Sequence, residues 1–407
     1  MTNLTDFSLL QLYPFLIKLT VVEGLAIDHL FRLLKFPEAH QGKLQKSSLF
    51  KKTSKMTPNY THLPSSKIAT VFQTFAEREC KNVSPLYYQL SLDMMEETDL
   101  LQLAAHARQG QPIPNLFYGA LHYLLLPAEA EELRRYYPSI SKRASPGIPI
   151  DLIKDFCQRR EAEIVALLSQ RIVQTNAINR TAYIMPIVSS LFPSDVPINL
   201  VDIGTSSGLT LNFDNYQYNY GEGRQWGSSE VKIKSEILGG TLPSFPTMAR
   251  VKRKIGIDQN PLDLKDEENG NWLKALIWPD SEERFIRMEA AITAAKTSDV
   301  TLYKADQPDA FQSIIDTVPK MEGLLVYHTH VLYQFTMAQR QAFRQMLDEV
   351  GQYRDFYYLA IEANRVFDGL IDDKPGVKIV LTHYQAGKKM TTILGETNGH
   401  ANWIKWQ

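Results

Sequence analysis

Cysteine is scarce. Cys80 and Cys157 are the only two in 407 residues, each inside a stretch of helical period, and two lone thiols make no disulfide framework. A reducing, cytoplasmic setting is expected. No C-x-x-C pair and no Cys/His cluster at ligand spacing occurs, so no metal site is expected either. Charge of one sign is also lacking: 44 Lys and Arg against 45 Asp and Glu leave a net −1. Nothing in that balance draws the chain onto nucleic acid or anionic lipid, and no nucleic-acid partner is expected. The densest apolar stretch, Phe7 to Phe36, is interrupted by Lys18, Glu23 and Asp28. It therefore predicts no membrane span, and MTNLTDF lacks the basic start of a signal peptide. A dinucleotide fingerprint, G-x-G-x-x-G, is missing, which argues against a nicotinamide-dependent oxidoreductase.

What is present is an ordinary globular composition, 44% hydrophobic and 22% charged, with enough apolar residues for a large core. Three regions differ in pattern. Residues 1–55 hold eight Lys and Arg against four Asp and Glu. They read either as an amphipathic helix for a membrane surface or partner, or as an extension upstream of a second plausible start at Met56. Residues 56–190 place apolar side chains three and four apart between Pro and Gly breaks, which predicts a helical cap. Ser84 before Pro85 reads as an N-cap, and IDLIKDFCQRREAEIVALLSQRIVQTNAINRTAYIM as helical throughout. Residues 191–407 alternate short apolar strands (INLVDIG, KIGID, VTLYKAD, GLLVYHTHVL, FYYLAIEAN) with amphipathic stretches. That predicts βαβ units and a mostly parallel, doubly wound α/β sheet. The last forty residues, with turns at Ala386-Gly387 and Asn398-Gly399, predict an antiparallel hairpin ending.

The most informative local sequence is INLVDIGTSSGLTLNFD, residues 198–214. A strand runs into Asp202, and Gly204, Ser206 and Gly208 follow at every second position before a helical pattern. Small residues there let the backbone approach a ligand, and free N–H groups favour an anionic or polar one. A tight strand-to-helix turn with nothing bound is the alternative. Asp258 ends the next strand, where Asp258-Gln-Asn-Pro261 can also be a turn with Asn260 as N-cap. Asp306 ends the third, where it or Asp309 can cap the helix at Pro308. Asp258 stands 56 positions after Asp202, against about 20 in a compact nucleotide-binding unit. Alternation at Tyr216, Tyr218 and Tyr220, a turn at Gly221-Glu-Gly223, and alternation at Val231, Ile233 and Ser235 predict an inserted β-hairpin over about 214–250.

The D-x-G-x-S-x-G turn resembles the first motif of class I S-adenosylmethionine-dependent methyltransferases. The resemblance implies that Asp202 helps hold the amino acid part of S-adenosylmethionine above Gly204 and Gly208. It also implies that Asp258 takes the ribose hydroxyls and Asp306 meets the adenine edge. Ser206 stands where that family usually has glycine. The set YYPS at 136–139, QTNAINR at 174–180, VDIGTSSGL at 201–209, VYHTHVL at 326–332 and GHANWIKW at 399–406 is similar to a bacterial family known as a domain of unknown function with a methyltransferase-like core. That family has no established substrate and bears on the fold; the methyltransferase resemblance at Asp202, Gly204, Gly208, Asp258 and Asp306 implies methyl transfer to a small-molecule or protein acceptor, with a non-catalytic ligand-binding or interaction module on the same fold as the alternative.

Two further groups carry chemistry. His328 and His330, two apart on the fourth strand, are expected on one face, as a base for the acceptor proton or as a hydrogen-bonded structural pair. Arg180, at the end of a polar run on the helix entering the first strand, either reaches a cofactor carboxylate or belongs to a buried network.

Overall fold

A computed structural model describes residues 63–128, 131–192, 196–369 and 374–407; residues 1–55, with both readings of them, lie outside these. Among the described residues, seven α-helices precede the first strand: α1 Ser65–Phe75, α2 Pro85–Asp93, α3 Thr98–Ala104, α4 Ile113–Leu125, α5 Ile150–Arg159, α6 Glu161–Gln170 and α7 Thr181–Leu191. Ser84 caps α2 as expected, its Oγ accepting from Tyr87 N at 3.2 Å. The prolines at 112 and 114 bracket the first turn of α4, where the missing donors cost nothing. Apolar on nearly every face, α4 forms the centre of this region. Tyr118 stacks on Tyr87 at 4.5 Å, and Gly119 lets Leu276 come close on the other side. Both cysteines are buried and free, and burial pushes each thiol up to about 12.

The helical pattern read through 150–185 is broken. Residues 171–177 are extended and 178–180 form a 3-10 turn. The apolar period continues through Ile172 and Val173, but the polar side chains find partners that a helix would deny them. Val173 N donates to Gln111 Oε1, Gln174 Nε2 to Asn260 O, and Asn176 Nδ2 to Ser206 Oγ.

The strands are β1 Ile198–Ile203, β2 Gln217–Asn219, β3 Gln225–Trp226, β4 Lys232–Lys234, β5 Glu236–Gly239, β6 Val251–Asp258, β7 Val300–Lys304, β8 Leu324–Thr329, β9 Phe356–Ala363, β10 Val377–Gln385, β11 Lys388–Thr397 and β12 Trp403–Trp406. Helices α8 Glu267–Ala275, α9 Glu282–Ala295, α10 Pro308–Ile315 and α11 Met337–Gly351 lie between them. Nine strands form one sheet in the order β5-β12-β11-β10-β9-β8-β1-β6-β7. From β7 to β9 every pairing is parallel, and β9 to β12 is an antiparallel meander. The β10–β11 turn is a two-residue loop with positive φ at Ala386 and Gly387, which matches strand twist.

Alternation sorts the sheet into two cores. Leu200, Leu325, Leu359 and Ile379 pack with α7 and α9, while Val201, Val326 and Ala360 pack with α10 and α11. A sheet covered on both faces explains why β1 is buried at every residue.

The insertion differs from a single hairpin. The Gly221–Gly223 turn returns through β3, antiparallel to β2, but β4 pairs parallel to β2 on its other side. β5 then joins the main sheet beside β12. No helix among the described residues is long and apolar enough to cross a membrane.

Candidate functional site

β1 hydrogen-bonds to β6 on one side and β8 on the other, so the chain reverses its winding direction there. Open α/β sheets bind ligands at the carboxyl ends of the strands flanking such a point. A cleft of about 370 Å³ opens there, within the range of small-molecule sites of roughly 300–1,000 Å³. Its floor is the turn after β1 and the ends of β6 and β7; its walls are residues 172–177 and the segment after β8.

Asp202, Gly204, Ser206, Asp258, Asp306, Arg180 and His330 all line this cleft; Gly208 and His328 do not. Gly208 has φ +75, and a Cβ there would meet Val300 Cγ1 at 2.8 Å, so its glycine serves the packing of the turn on β7. Gly204, at φ +73, leaves room for Val331, whose Cγ2 would stand 2.3 Å from an added Cβ. Ser206 adopts φ +55, a left-handed conformation that glycine adopts without steric cost and serine rarely does. It is held by three bonds: its N–H donates to Asp258 Oδ2, its Oγ accepts from Asn176, and its carbonyl accepts from Leu262 N.

The acids differ in state. Asp202 is buried, and its Oδ2 accepts from Thr205 Oγ1 at 2.9 Å and Thr210 Oγ1 at 2.6 Å. Burial still pushes its pKa up to about 7, against the pull of those hydroxyls. Asp258 also holds its own turn, Oδ1 accepting from Asn260 N at 2.7 Å. Asn260 caps no helix, because α8 begins at Glu267 behind Asp266. Asp306 is exposed at the rim two residues past β7, and Gln307, not an aspartate, precedes α10.

The two histidines part company. His328 is fully buried, with Nδ1 bonded to Glu362 Oε1 at 3.0 Å and Nε2 to Tyr358 Oη at 2.6 Å. Both ring nitrogens are spent, so His328 cannot serve as a base in the cleft. Glu362 Oε1 also accepts from Val331 N and Leu332 N. Although burial pushes the Glu362 carboxyl up, His328 and those amides hold it below its usual value. This anchors the chain just past β8. His330 lies beyond the strand with φ +54, which turns its ring to the cleft and not to the face of His328. Burial and the Arg180 charge pull its pKa down to about 4, and its buried Nε2 has no hydrogen-bond partner among the described residues.

Arg180 is buried, donating Nε to Gly399 O and Nη1 to Thr329. It thereby ties the last loop to the end of β8, yet makes no ion pair with any described residue. Tyr333, Phe335, Phe311 and Thr210 also line the cleft without having been singled out from sequence; Tyr333 follows VYHTHVL directly and Phe335 two residues later. YYPS lies elsewhere, with Ser139 Oγ bonded to His122 Nε2. Among the described residues no group of three or more His, Cys, Asp or Glu could hold a metal ion.

Residues 69–406 match the family described as "uncharacterized protein conserved in bacteria (DUF2332)". No curated protein and no solved structure matches the chain. With the match running from α1 through β12, the chain belongs to this uncharacterised bacterial family.

Proposed function

We propose that the cleft binds S-adenosylmethionine and that the chain transfers its methyl group to a small-molecule or protein acceptor, on a methyltransferase-like core. The observation that carries this reading is the meeting of Asp202 and Arg180 in one cleft at the switch point of a parallel sheet. An acid near neutrality and a cation with no ion-pair partner among the described residues suit the ammonium and carboxylate of an amino acid. Asp258 faces the cleft and retains lone pairs for two hydroxyls beyond the amides it accepts. Ile203, Ile257 and Phe311 supply apolar walls for a flat ring. The residues therefore fit the cofactor. When bound, S-adenosylmethionine supplies an electrophilic methyl group.

The protein's share is to orient and to manage one proton. His330 is neutral at pH 7 and lines the cleft, so the ring nitrogen other than its buried Nε2 can accept a hydrogen bond from an acceptor hydroxyl or amine. A base with so low a pKa contributes mainly by positioning. Calorimetric titration with S-adenosylmethionine and with its demethylated product tests the reading. Saturable heat for both supports it; no heat and no thermal shift at millimolar ligand overturns it.

The engagement of His328 by Glu362 and Tyr358 favours a second reading, a ligand-binding module without turnover. The two part on product: incubation with methyl-labelled cofactor and pooled acceptors gives labelled product only for a transferase.

A further inference from the structure

A second, smaller recess adjoins the cleft, sharing Asn176 and Ala177 with it as a common wall. Its volume is about 30 Å³, and Arg284, Arg287, Asn402 and His400 line it. Both arginines come from the first turns of α9, three residues apart on one face. The half-buried Arg284 guanidinium makes no hydrogen bond and no ion pair with any described residue. Arg287 donates Nε to Lys232 O at 2.9 Å and likewise has no carboxylate within ion-pair distance among the described residues. Glu283, next to Arg284 in sequence, is exposed and sits 4.0 Å from Lys234, and its charge partly offsets the effect of burial on Arg287.

Half-buried guanidinium groups lining one recess are unfavourable unless paired. Burial presses both toward the neutral form, Arg284 further through the charges of Arg287 and Arg180. Planar arginine forks with free donors suit carboxylate or phosphate oxygens, and Asn402 adds an amide group beside the same space. The recess admits a water or two, the scale of the oxygens of one such group.

We propose that this recess binds an anionic group, a carboxylate or a phosphate, carried by the acceptor, whose reacting end lies across the Asn176–Ala177 wall in the cleft. Calling its bearer the acceptor rests on the methyl-transfer reading; the anion site does not. The acceptor class is thus an acidic small molecule or an acidic or phosphorylated side chain.

The test is calorimetry and thermal shift on the whole chain with inorganic phosphate and with succinate, each with and without saturating demethylated cofactor. At least one anion is expected to bind in the millimolar range and to persist when the cleft is filled. Arg284→Gln is expected to weaken it about tenfold, as the loss of one charge-assisted hydrogen bond does, with cofactor affinity unchanged. Arg284→Lys keeps the charge and loses less. Should Arg284→Gln fail to fold, Arg287→Gln carries the same expectation. Equal affinity in the glutamine variant, displacement by the demethylated cofactor, or no binding of either anion overturns the proposal. Failure of the cofactor to bind leaves the phosphate and succinate readings intact, so the two ideas fail separately.

Discussion

The Ser206 amide donates to Asp258 Oδ2 at 2.8 Å, so a carboxylate at the end of β6 holds the turn after β1 in a left-handed conformation. The same carboxylate holds its own turn through Asn260 N. One side chain therefore shapes two strand ends before any ligand arrives.

Replacing Asp258 by alanine strips two backbone donors of their acceptor. A loss of about 1–3 kcal/mol is expected, read from urea unfolding, together with loss of cofactor binding by calorimetry. Asp258→Asn keeps one acceptor oxygen and should cost less in stability while still weakening binding.

Gly204→Ala combines a positive φ with a contact on Val331. Together these should cost about 2–4 kcal/mol. Val331→Ala in the same chain removes the contact but not the backbone strain, so it should restore part of the loss. Denaturant unfolding of the two single variants and the double variant checks this, and strictly additive losses would contradict it.

The histidines should respond differently to truncation. His328→Ala leaves Glu362 and Tyr358 short of a buried partner and is expected to cost about 3 kcal/mol or more, releasing the segment after β8. His330→Ala breaks no hydrogen bond with a described residue, so its unfolding midpoint should stay near the parent's while product formation falls.

Stability should rise with pH between about 4 and 6.5, where unfolded histidine titrates near 6.5. His122, His330 and His400 are all held down to about 4. Over that window the folded chain binds fewer protons at these sites than the unfolded chain, so their contribution is present above it and lost as pH falls. Asp202 acts in the opposite sense. Raised to about 7, it binds its proton more tightly when folded, and its contribution is lost as pH rises from about 4 to 7. Three groups outweigh one. Asp202→Asn should steepen the rise and be more stable than the parent above pH 7, as thermal unfolding across pH would show.

The strands, their alternation and the glycine turn were legible because each is written in local sequence: a run of β-branched residues, an acid, then small residues. The extended segment 171–177 was not. Its apolar period continues the helix, and the choice is made by partners such as Asn260 and Ser206, distant in sequence. The fate of the two histidines was hidden for the same reason. Glu362, on the next strand, draws in the Val331 and Leu332 amides and accompanies the turn at His330 that separates the rings. The insertion was legible as strands and a turn, but β5 pairs with β12 at the far end of the chain, which spacing does not reveal.

The most direct test of the central claim is a crystal structure of the chain grown with the demethylated cofactor at saturating concentration. The account predicts density in the cleft, with the amino acid end between Asp202 and Arg180 and the ribose at Asp258. An empty cleft, or the ligand bound elsewhere, would contradict it.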